Sequence, residues 1–445
     1  MRYDLIIKNG NFISPRKEEC FEGAVAVANG KIAAAGRLNA DDSADEVYDA
    51  GGKHILPGII DAHVHFRDPG LTDKEDFETG SLAAAFGGVT CAADMPNVLP
   101  VTSTAQRFIE KVETAKAKSY IDFALFALLP NEQDELEKLR KAGALGFKVF
   151  LGTSTGDIAA PAPGVLISRM SQCAEAGSRI GFHAESGELN SYFTELCKKK
   201  ADAPAGQLLA EARPVISEII AIQTAICYAQ YTDAKIHIHH VTSVDGARLV
   251  EEAKQKEIKV SAETCPHYLF LDANTSPAHK VYPPVREGQC EGLWDALDRG
   301  IIDIIASDHA PHTAAEKALA LWDAPAGLCG VETLLPLMLN EATCGNISLC
   351  DIARLLSEAP AKIWGIYPRK GNLLPGADAD FTIVDMNKKR TISADSLHSK
   401  SKTTPYDGTQ TQGSVECTVV RGKFIVKDGQ LTGEKGYGVL VSPAL

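Results

Sequence analysis

The sequence predicts an α/β protein: a (β/α)8 TIM-like barrel with a small composite β-sandwich domain built from both chain ends. Two observations carry this prediction. Eight short apolar runs in the middle of the chain are each followed by a helical pattern, and both chain ends hold short β-rich runs separated by turns. A chain of 445 residues is long enough for one such barrel with a smaller attachment.

The first predicted element is the β-rich amino-terminal end. Its runs DLIIKNGNFIS, GAVAVANGKIAAAG and KHILPG are separated by Asn-Gly or Gly-Lys turns, which indicate hairpins. The carboxyl-terminal end repeats this style in ADFTIVD, CTVVRGKFIVKDG and YGVLVS. Residues 1–55 and 370–445 are therefore expected to pair into one β domain, and the barrel, residues 56–369, is inserted between them.

The middle of the chain predicts the barrel strands in order. Near-continuous apolar runs that alternate with helical patterns are typical of parallel strands buried on both faces. A capping box formed by Thr72 and Glu75 predicts a helix that ends at Gly87–Gly88, and another helix is expected from Asn131 to Gly143. The predicted strands are IIDAHVH (59–65), VTCAADM (89–95), YIDFALFA (120–127), LGFKVFL (145–151), RIGFHAE (179–185), KIHIHHV (235–241), IKVSAET (258–264) and IDIIASD (302–308).

Charge and composition exclude several classes of protein. Forty-five Lys and Arg against 58 Asp and Glu leave a formal charge of −13, which provides no attractive surface for nucleic acid or an anionic membrane. No apolar stretch approaches the roughly 18 residues of a membrane span, and the amino terminus lacks a signal-peptide pattern. Eleven cysteines without a C-x-x-C pair are typical of reduced thiols. We expect a cytoplasmic protein.

Polar residues with metal-binding chemistry stand at or just after the ends of several predicted strands. In a barrel the carboxyl ends of the strands meet at one face, where active-site groups lie. One such residue alone would be interpreted as a hydrogen-bonded core group, but the same placement on several strands favours a shared metal site. These residues are His63, His65, Asn97, Lys148, His183, His239, His240 and Asp308.

The histidines indicate how the ions would be held. Because side chains alternate along a strand, His63 and His65 point the same way and can bind one cation. Strand six offers several histidines, and we favour His240, at the strand end, over His239. The expected ligands, which suit Zn²⁺ or a similar divalent ion, are His63, His65, His183, His240 and Asp308.

Lys148 is unusual because it lies inside the apolar strand GFKVF. One interpretation is a lysine that extends to the surface. The interpretation we favour is that burial lowers the pKa of its amine, which then takes up CO₂ to become a carbamate. A carbamate has two oxygens and could bridge two metal ions, one bound by His63 and His65 and the other by His183 and His240.

This set of residues resembles the amidohydrolase superfamily, specifically its cyclic amidohydrolases: dihydroorotases, allantoinases and hydantoinases (dihydropyrimidinases). The segment LPGADAD (374–380) is similar to the segment with which chains of this superfamily pass from the barrel back to the β domain. The resemblance implies a hydrolase for small cyclic amides, with two divalent ions, Zn²⁺ being expected, and N6-carboxylation of Lys148. It also implies that Asp308 moves the proton, and that the chain forms a dimer or tetramer. Some dihydroorotases further associate with aspartate transcarbamoylase.

Within this family the motifs resemble dihydroorotases. HVHFRDPG (63–70) is similar to their H-x-H-x-R-[DE]-P-G pattern, MPN (95–97) to their M-P-N, DHAPH (308–312) to their D-H-A-P-H and APAG (324–327) to their A-P-F-G loop. The resemblance implies that Arg67, Asn97 and His312 hold a substrate carboxylate, for which the planar donors of an arginine are suited.

Other phrases differ from the dihydroorotase pattern. Tyr282 stands where that family has a substrate-contacting asparagine, and Ala326 replaces the loop phenylalanine before Gly327. The segment ETCPHY (263–268) resembles the corresponding segment of allantoinases and hydantoinases. The alternatives are therefore an allantoinase or a hydantoinase (dihydropyrimidinase), and, more remotely, an inactive scaffold homologue. The expected substrate contacts are Arg67, Asn97, His312, Tyr282, Ala326 and Gly327.

Overall fold

The computed structural model describes residues 1–39, 41–152, 158–200, 203–273 and 279–444. The chain begins with a mixed sheet. Its first strand, β1, pairs antiparallel with β2 and in parallel with β4 and β5. Residues of β1 alternate between exposed and buried over part of its length, as expected for a strand with one face on a core. The strands are β1 (Arg2–Phe12), β2 (Phe21–Ala28), β3 (Lys31–Gly36), β4 (Ser43–Asp49) and β5 (His54–Pro57), with a short 3-10 helix at Lys17–Glu19.

The middle of the chain forms the predicted barrel. Its strands pair in parallel from β6 to β14, and β8 and β9 are two pieces of one strand, the first paired with β7 and the second with β10. The ring closes where the His65 N–H donates to the His309 carbonyl at 2.7 Å, beside a parallel bridge between Val64 and His309. The strands are β6 (Ile59–Val64), β7 (Val89–Asp94), β8 (Asp122–Leu125), β9 (Ala127–Leu128), β10 (Phe147–Phe150), β11 (Arg179–His183), β12 (Lys235–Ile238), β13 (Val260–Thr264) and β14 (Ile304–Ile305).

Helices alternate with the barrel strands along the chain. One apolar core packs the strands against these helices, and it includes Phe77, Phe123, Phe182 and Ile222, each fully buried. The helices are α1 (Phe77–Phe86), α2 (Ala105–Lys118), α3 (Gln133–Ala142), α4 (Pro163–Glu175), α5 (Gly187–Cys197), α6 (Ala205–Ala212), α7 (Val215–Thr232), α8 (Val244–Gln255), α9 (Pro266–Phe270), α10 (Cys290–Asp298), α11 (Ala314–Lys317), α12 (Leu334–Cys344), α13 (Leu349–Ala353) and α14 (Ala359–Ile363), with a π-helical turn at Arg354–Glu358.

The carboxyl-terminal end returns to the first sheet. Strand β15 pairs antiparallel with β5, so Phe381 lies opposite Pro57 and Ile383 opposite Ile55. The result is one nine-stranded hydrogen-bonded sheet with strands from both chain ends, as the fold prediction expected. The last strands are β15 (Phe381–Thr391), β16 (Gln410–Val420), β17 (Lys423–Lys427) and β18 (Gln430–Leu431), with a 3-10 turn at Ala394–Ser396.

A buried lysine joins the barrel to this sheet. The Lys370 Nζ lies 2.6 Å from Asp122, at the start of β8, 2.6 Å from Asp380 and 3.0 Å from Asp378. Its side chain is 1% exposed. The three carboxylates are close enough to hold a cation, and the ammonium supplies that positive charge from within the chain.

The predicted start of the first helix is wrong. Helix α1 begins at Phe77, because the Asp76 carboxylate accepts the Thr79 N–H at 2.9 Å and is the cap. Glu75 instead accepts hydrogen bonds from the hydroxyls of Thr79 and Ser399. The predicted helix ends at Gly87 and Gly143 are confirmed. Among the described residues, no helix combines the length and apolar character needed to cross a membrane.

Candidate metal centre

The polar residues predicted from the strand ends lie together at one mouth of the barrel. They line a small cavity that is formed by the carboxyl ends of the strands and the loops after them. Every residue predicted for the site lines this cavity except His312, which lies behind Arg67. The lining residues are His63, His65, Arg67, Asn97, Lys148, Phe150, His183, His240, Val281, Tyr282, Asp308, Ala310, Ala326 and Gly327.

One group of three ligand atoms lies on the side of β6 and β14. The Nε2 atoms of His63 and His65 lie 3.4 and 3.2 Å from Asp308 Oδ1. One ligand atom from each of the three residues falls within 4.8 Å of the others. The remaining nitrogen of His65, Nδ1, lies 2.8 Å from Asn97 Oδ1, so Asn97 fixes the orientation of this imidazole.

A second group lies on the side of β11 and β12. His183 Nδ1 and His240 Nε2 are 2.9 Å apart. The other nitrogen of His183, Nε2, lies 2.9 Å from Glu185 Oε2. These two imidazole nitrogens are within hydrogen-bonding distance of each other, and the Glu185 carboxylate holds the His183 ring from behind.

Lys148 lies within electrostatic range of both groups. Its side chain is 1% exposed, and burial lowers the pKa of its amine to about 7. Its ammonium makes no ion pair within the described part of the chain, although Glu263 and Asp308 are near enough to favour the charge. An amine with this pKa is substantially unprotonated near neutral pH.

The four imidazoles are held in the form that binds metals. Burial lowers the pKa of His63, His65, His183 and His240, and the charge of Lys148 lowers it further. Neutral imidazoles have a free nitrogen lone pair for a cation.

Backbone conformation directs several of these side chains into the cavity. Arg67, His240 and Asp308 follow strands β6, β12 and β14, and their φ angles are 62°, 39° and 45°. Such angles are uncommon for residues other than glycine and often mark functional sites. At His240 this turn changes the direction of the side chain after the strand has ended. His240 therefore faces the cavity, whereas the alternative, His239, points to Glu263 beneath it.

The sequence interpretation missed Glu263, which lies under the cavity on β13. Its Oε1 is 2.5 Å from His63 Nδ1 and 2.9 Å from His239 Nδ1, and its Oε2 is 3.0 Å from His237 Nε2. One carboxylate thus orients a candidate ligand and two neighbouring histidines. An acidic residue near the end of the predicted strand IKVSAET (258–264) was the signal that could have identified it.

It also missed Arg213, which joins the end of α6 to the site. The Arg213 Nε donates to Glu185 at 3.0 Å, and its Nη2 donates to the same carboxylate at 2.5 Å. Its guanidinium carbon lies 3.7 Å from the centroid of the Tyr282 ring. Tyr282, on the cavity wall, therefore covers the cation that fixes the carboxylate behind His183. No strand pattern precedes Arg213, so only the folded chain reveals it.

Arg67 is a buried cation with unused donor capacity. It is 1% exposed, its Nε donates to the Pro311 carbonyl at 3.3 Å, and its Nη2 lies 3.2 Å from His312 Nε2. Its Nη1 has no hydrogen-bond partner among the described residues. His312 Nε2 also lies 3.0 Å from the Ala326 carbonyl, so it links Arg67 to the loop that carries Gly327.

These observations fit a site for divalent cations. Four neutral imidazoles and one carboxylate are ligand types that Zn²⁺ and similar ions accept, and three of the imidazoles have their second nitrogen held by Glu263, Asn97 or Glu185. A carboxylated Lys148 would add two oxygens within range of both groups.

Comparison with known proteins gives one consistent family. A model of the amidohydrolase family matches residues 54–425. The chain is 34% identical to an L-hydantoinase of Paenarthrobacter aurescens, over 99% of this chain and 98% of that protein. It is 35% identical to a dihydroorotase of Methanothermobacter thermautotrophicus, over 93% of each, and 36% identical to an allantoinase of Deinococcus radiodurans, over 97% of each.

A solved structure gives the same result. The structure of an L-hydantoinase (dihydropyrimidinase) from Arthrobacter aurescens matches with a TM-score of 0.95 and 34% identity, over 99% of this chain and 100% of that one. Relatives with three different activities lie at nearly equal distance, so the choice among their substrates depends on the residues of the cavity.

Proposed function

The chain belongs to the amidohydrolase family, and on that premise we propose that this cyclic amidohydrolase acts on a ring that carries a carboxylate. The proposed substrate is L-dihydroorotate, reversibly hydrolysed to N-carbamoyl-L-aspartate in pyrimidine biosynthesis. The observation that carries the proposal is Arg67, whose buried guanidinium lines the cavity and retains a donor without a partner in the described chain. A buried cation of this kind is stabilised by an anion, and neither allantoin nor a simple hydantoin has this carboxylate.

The metal ligands of the proposal are those named from the sequence. His63, His65 and Asp308 would hold one divalent ion, His183 and His240 the other, and a carboxylated Lys148 would bridge them. Carboxylation joins the Lys148 nitrogen to the carbon of CO₂ and releases one proton, which requires the unprotonated amine that burial favours. When bound, such ions polarise a carbonyl and make water a better nucleophile near neutral pH.

Asp308 is the proposed catalytic acid and base. Burial alone would raise the pKa of its carboxyl, but hydrogen bonding to His65 lowers it below the ordinary value, so the carboxylate is ionised and can accept a proton. Asp308 lines the cavity beside His63 and His65, where it would take the proton of the attacking water and pass it to the leaving ring nitrogen. Arg67 would meanwhile hold the substrate carboxylate and so orient the ring.

A hydantoinase (dihydropyrimidinase) or allantoinase activity is the second candidate. Tyr282 and Ala326 replace an asparagine and a phenylalanine of the dihydroorotase pattern, and both line the cavity. These two positions change the walls around the ring but leave Arg67 and the ligand set intact. Relatives of nearly equal identity bear these names.

The remaining partner expectations belong to the same proposal. A homo-oligomer, dimer or tetramer, would cover the exposed apolar side of α7, where Ile216, Ile220 and Tyr231 are 44, 44 and 79% exposed. The eleven free cysteines support a reducing, cytoplasmic location. Light scattering tests the oligomer, and purification from cells tests whether aspartate transcarbamoylase accompanies it.

The experiment that tests the activity uses one purified preparation. Bound metal is measured by elemental analysis, and turnover of L-dihydroorotate, allantoin, hydantoin and dihydrouracil is measured in parallel. We expect about two divalent ions per chain and a preference for L-dihydroorotate. Turnover of allantoin or hydantoin with inert dihydroorotate would contradict the substrate, and a metal-free preparation of undiminished activity would contradict the mechanism.

A further inference from the structure

Two cysteines that are 330 positions apart in the sequence lie in contact, and neither lines the cavity of the metal centre. The Sγ atoms of Cys20 and Cys350 are 3.7 Å apart. Cys20 lies between the 3-10 helix Lys17–Glu19 and β2, and Cys350 is the second residue of α13. All eleven cysteines lie in the described ranges, and this pair is the one thiol–thiol contact among them.

The pair sits where the amino-terminal sheet meets the last helices of the barrel. Close by, both terminal nitrogens of Arg16 donate to the Glu358 carboxylate at 3.2 Å. The segment that carries Cys20 is therefore already held against the helical side by an ion pair. Cys20 and Cys350 are both half-buried, so a small reagent can reach them from solution.

The surroundings distinguish the two thiols. Cys20 Sγ accepts the Ser14 N–H at 3.3 Å and can donate its thiol hydrogen to the carbonyls of Ser14 and Arg16 at 3.7 and 3.8 Å. Burial and the contact with Cys20 raise the pKa of Cys350 to about 11. The raised pKa disfavours Cys350 as the first nucleophile, and its sulfur, 3.7 Å from Cys20 Sγ, is placed to attack Cys20 in a second step.

We propose that Cys20 and Cys350 are a dithiol modification site that a low-molecular-weight disulfide oxidises to an intramolecular cross-link. The Cys20 thiolate attacks the small disulfide, forms a mixed disulfide and releases one small thiol. The Cys350 thiolate then attacks Cys20 Sγ and releases the second. Two electrons pass from the protein to the small disulfide, and the two thiol protons end on the released small thiols. The sulfurs must approach from 3.7 to about 2 Å, which needs movement of the Cys20 side chain just before β2 and of the Cys350 side chain in the first turn of α13.

The test uses the full-length protein and oxidised glutathione as the probe. After incubation, free thiols are alkylated and the chain is digested for mass spectrometry. We expect a peptide that links Cys20 to Cys350, a loss of the mass of two hydrogen atoms from the intact chain, and reversal by reduced glutathione. Both cysteines still being fully alkylated in wild-type protein would overturn the proposal.

Variants identify the order of attack and control for general reactivity. Cys350→Ser should retain glutathione on Cys20 as a mixed disulfide, and Cys20→Ser should form no cross-link. The exposed cysteines Cys227 and Cys344 provide the matched controls, since Cys227→Ser and Cys344→Ser should cross-link like wild type. Glutathione trapped on Cys350 in Cys20→Ser, with none on Cys20 in Cys350→Ser, would overturn the order.

Discussion

Replacing Arg67 by methionine tests the substrate carboxylate directly. The guanidinium is 1% exposed, and its described partners are at 3.2 and 3.3 Å, which leaves Nη1 for the ligand. One hydrogen bond between two charged groups in a buried site contributes about 3 kcal/mol, or roughly 10²-fold in kcat/KM. Methionine retains most of the side-chain volume, so the loss should come from the charge and the hydrogen bond.

The assay compares two rings that differ in this one group. Initial rates are measured for L-dihydroorotate and for dihydrouracil, which lacks the carboxylate, with wild type, Arg67→Met and Arg67→Lys at equal metal content. Arg67→Met should lose roughly 10²-fold on dihydroorotate and little on dihydrouracil. Arg67→Lys, which keeps the charge but not the planar donors, should lose about 10-fold. Equal losses on both substrates would refute the reasoning, because Arg67 would then support the site without binding the carboxylate.

Three further predictions concern the metals and the ionic cluster. Lys148→Ala should lose at least one of two bound ions and most activity while its circular dichroism is unchanged; full metal content with normal activity would contradict the bridging role. Arg213→Met should weaken metal binding at His183 about 10- to 100-fold in a chelator titration, whereas Arg248→Met, at an exposed position on α8, should not; equal affinities would contradict this positioning role. Burial alone would raise the pKa of the Asp378 carboxyl, but the charge of Lys370 lowers it from 3.8 to about 2. In acid the unfolded chain therefore binds more protons than the folded chain. The contribution of this interaction to the free energy of unfolding is complete above pH 3.8. It decreases by about 1 kcal/mol, after allowance for solvent screening, as the pH falls towards 2. Asp378→Asn should flatten the acid dependence of the urea midpoint, and an unchanged slope would contradict it.

The barrel was predictable because its signals are local. Each strand is a short apolar run along which side chains alternate in direction. The strand ends that carry His63, His65 and His183 could therefore be predicted from the positions of these residues in the runs. His240 required a choice, because alternation by itself does not include the turn of the chain at a φ of 39°. The start of α1 was predicted wrongly because two capping patterns overlap, and the Asp76 carboxylate is the one that reaches a free N–H.

The supporting groups were less predictable because they come from distant segments. Arg213, at the end of α6, meets Glu185, which follows β11, only in the folded chain, and nothing in its neighbouring residues predicts that contact. Glu263 orients residues of two other strands. Pattern reasoning identifies side chains that face a common point, whereas the partners that hold them depend on the full packing.

The pairing of β5 with β15 has a consequence for synthesis of the chain. The first five strands leave the ribosome first, yet β5 makes two residue pairs with β1 and four with β15, which is translated more than 300 residues later. Until then the edge of the nascent sheet has open hydrogen-bonding groups and is prone to mispairing. We therefore expect that the amino-terminal segment needs shielding by a chaperone, and that a chain stopped before residue 381 precipitates even though every barrel strand is present.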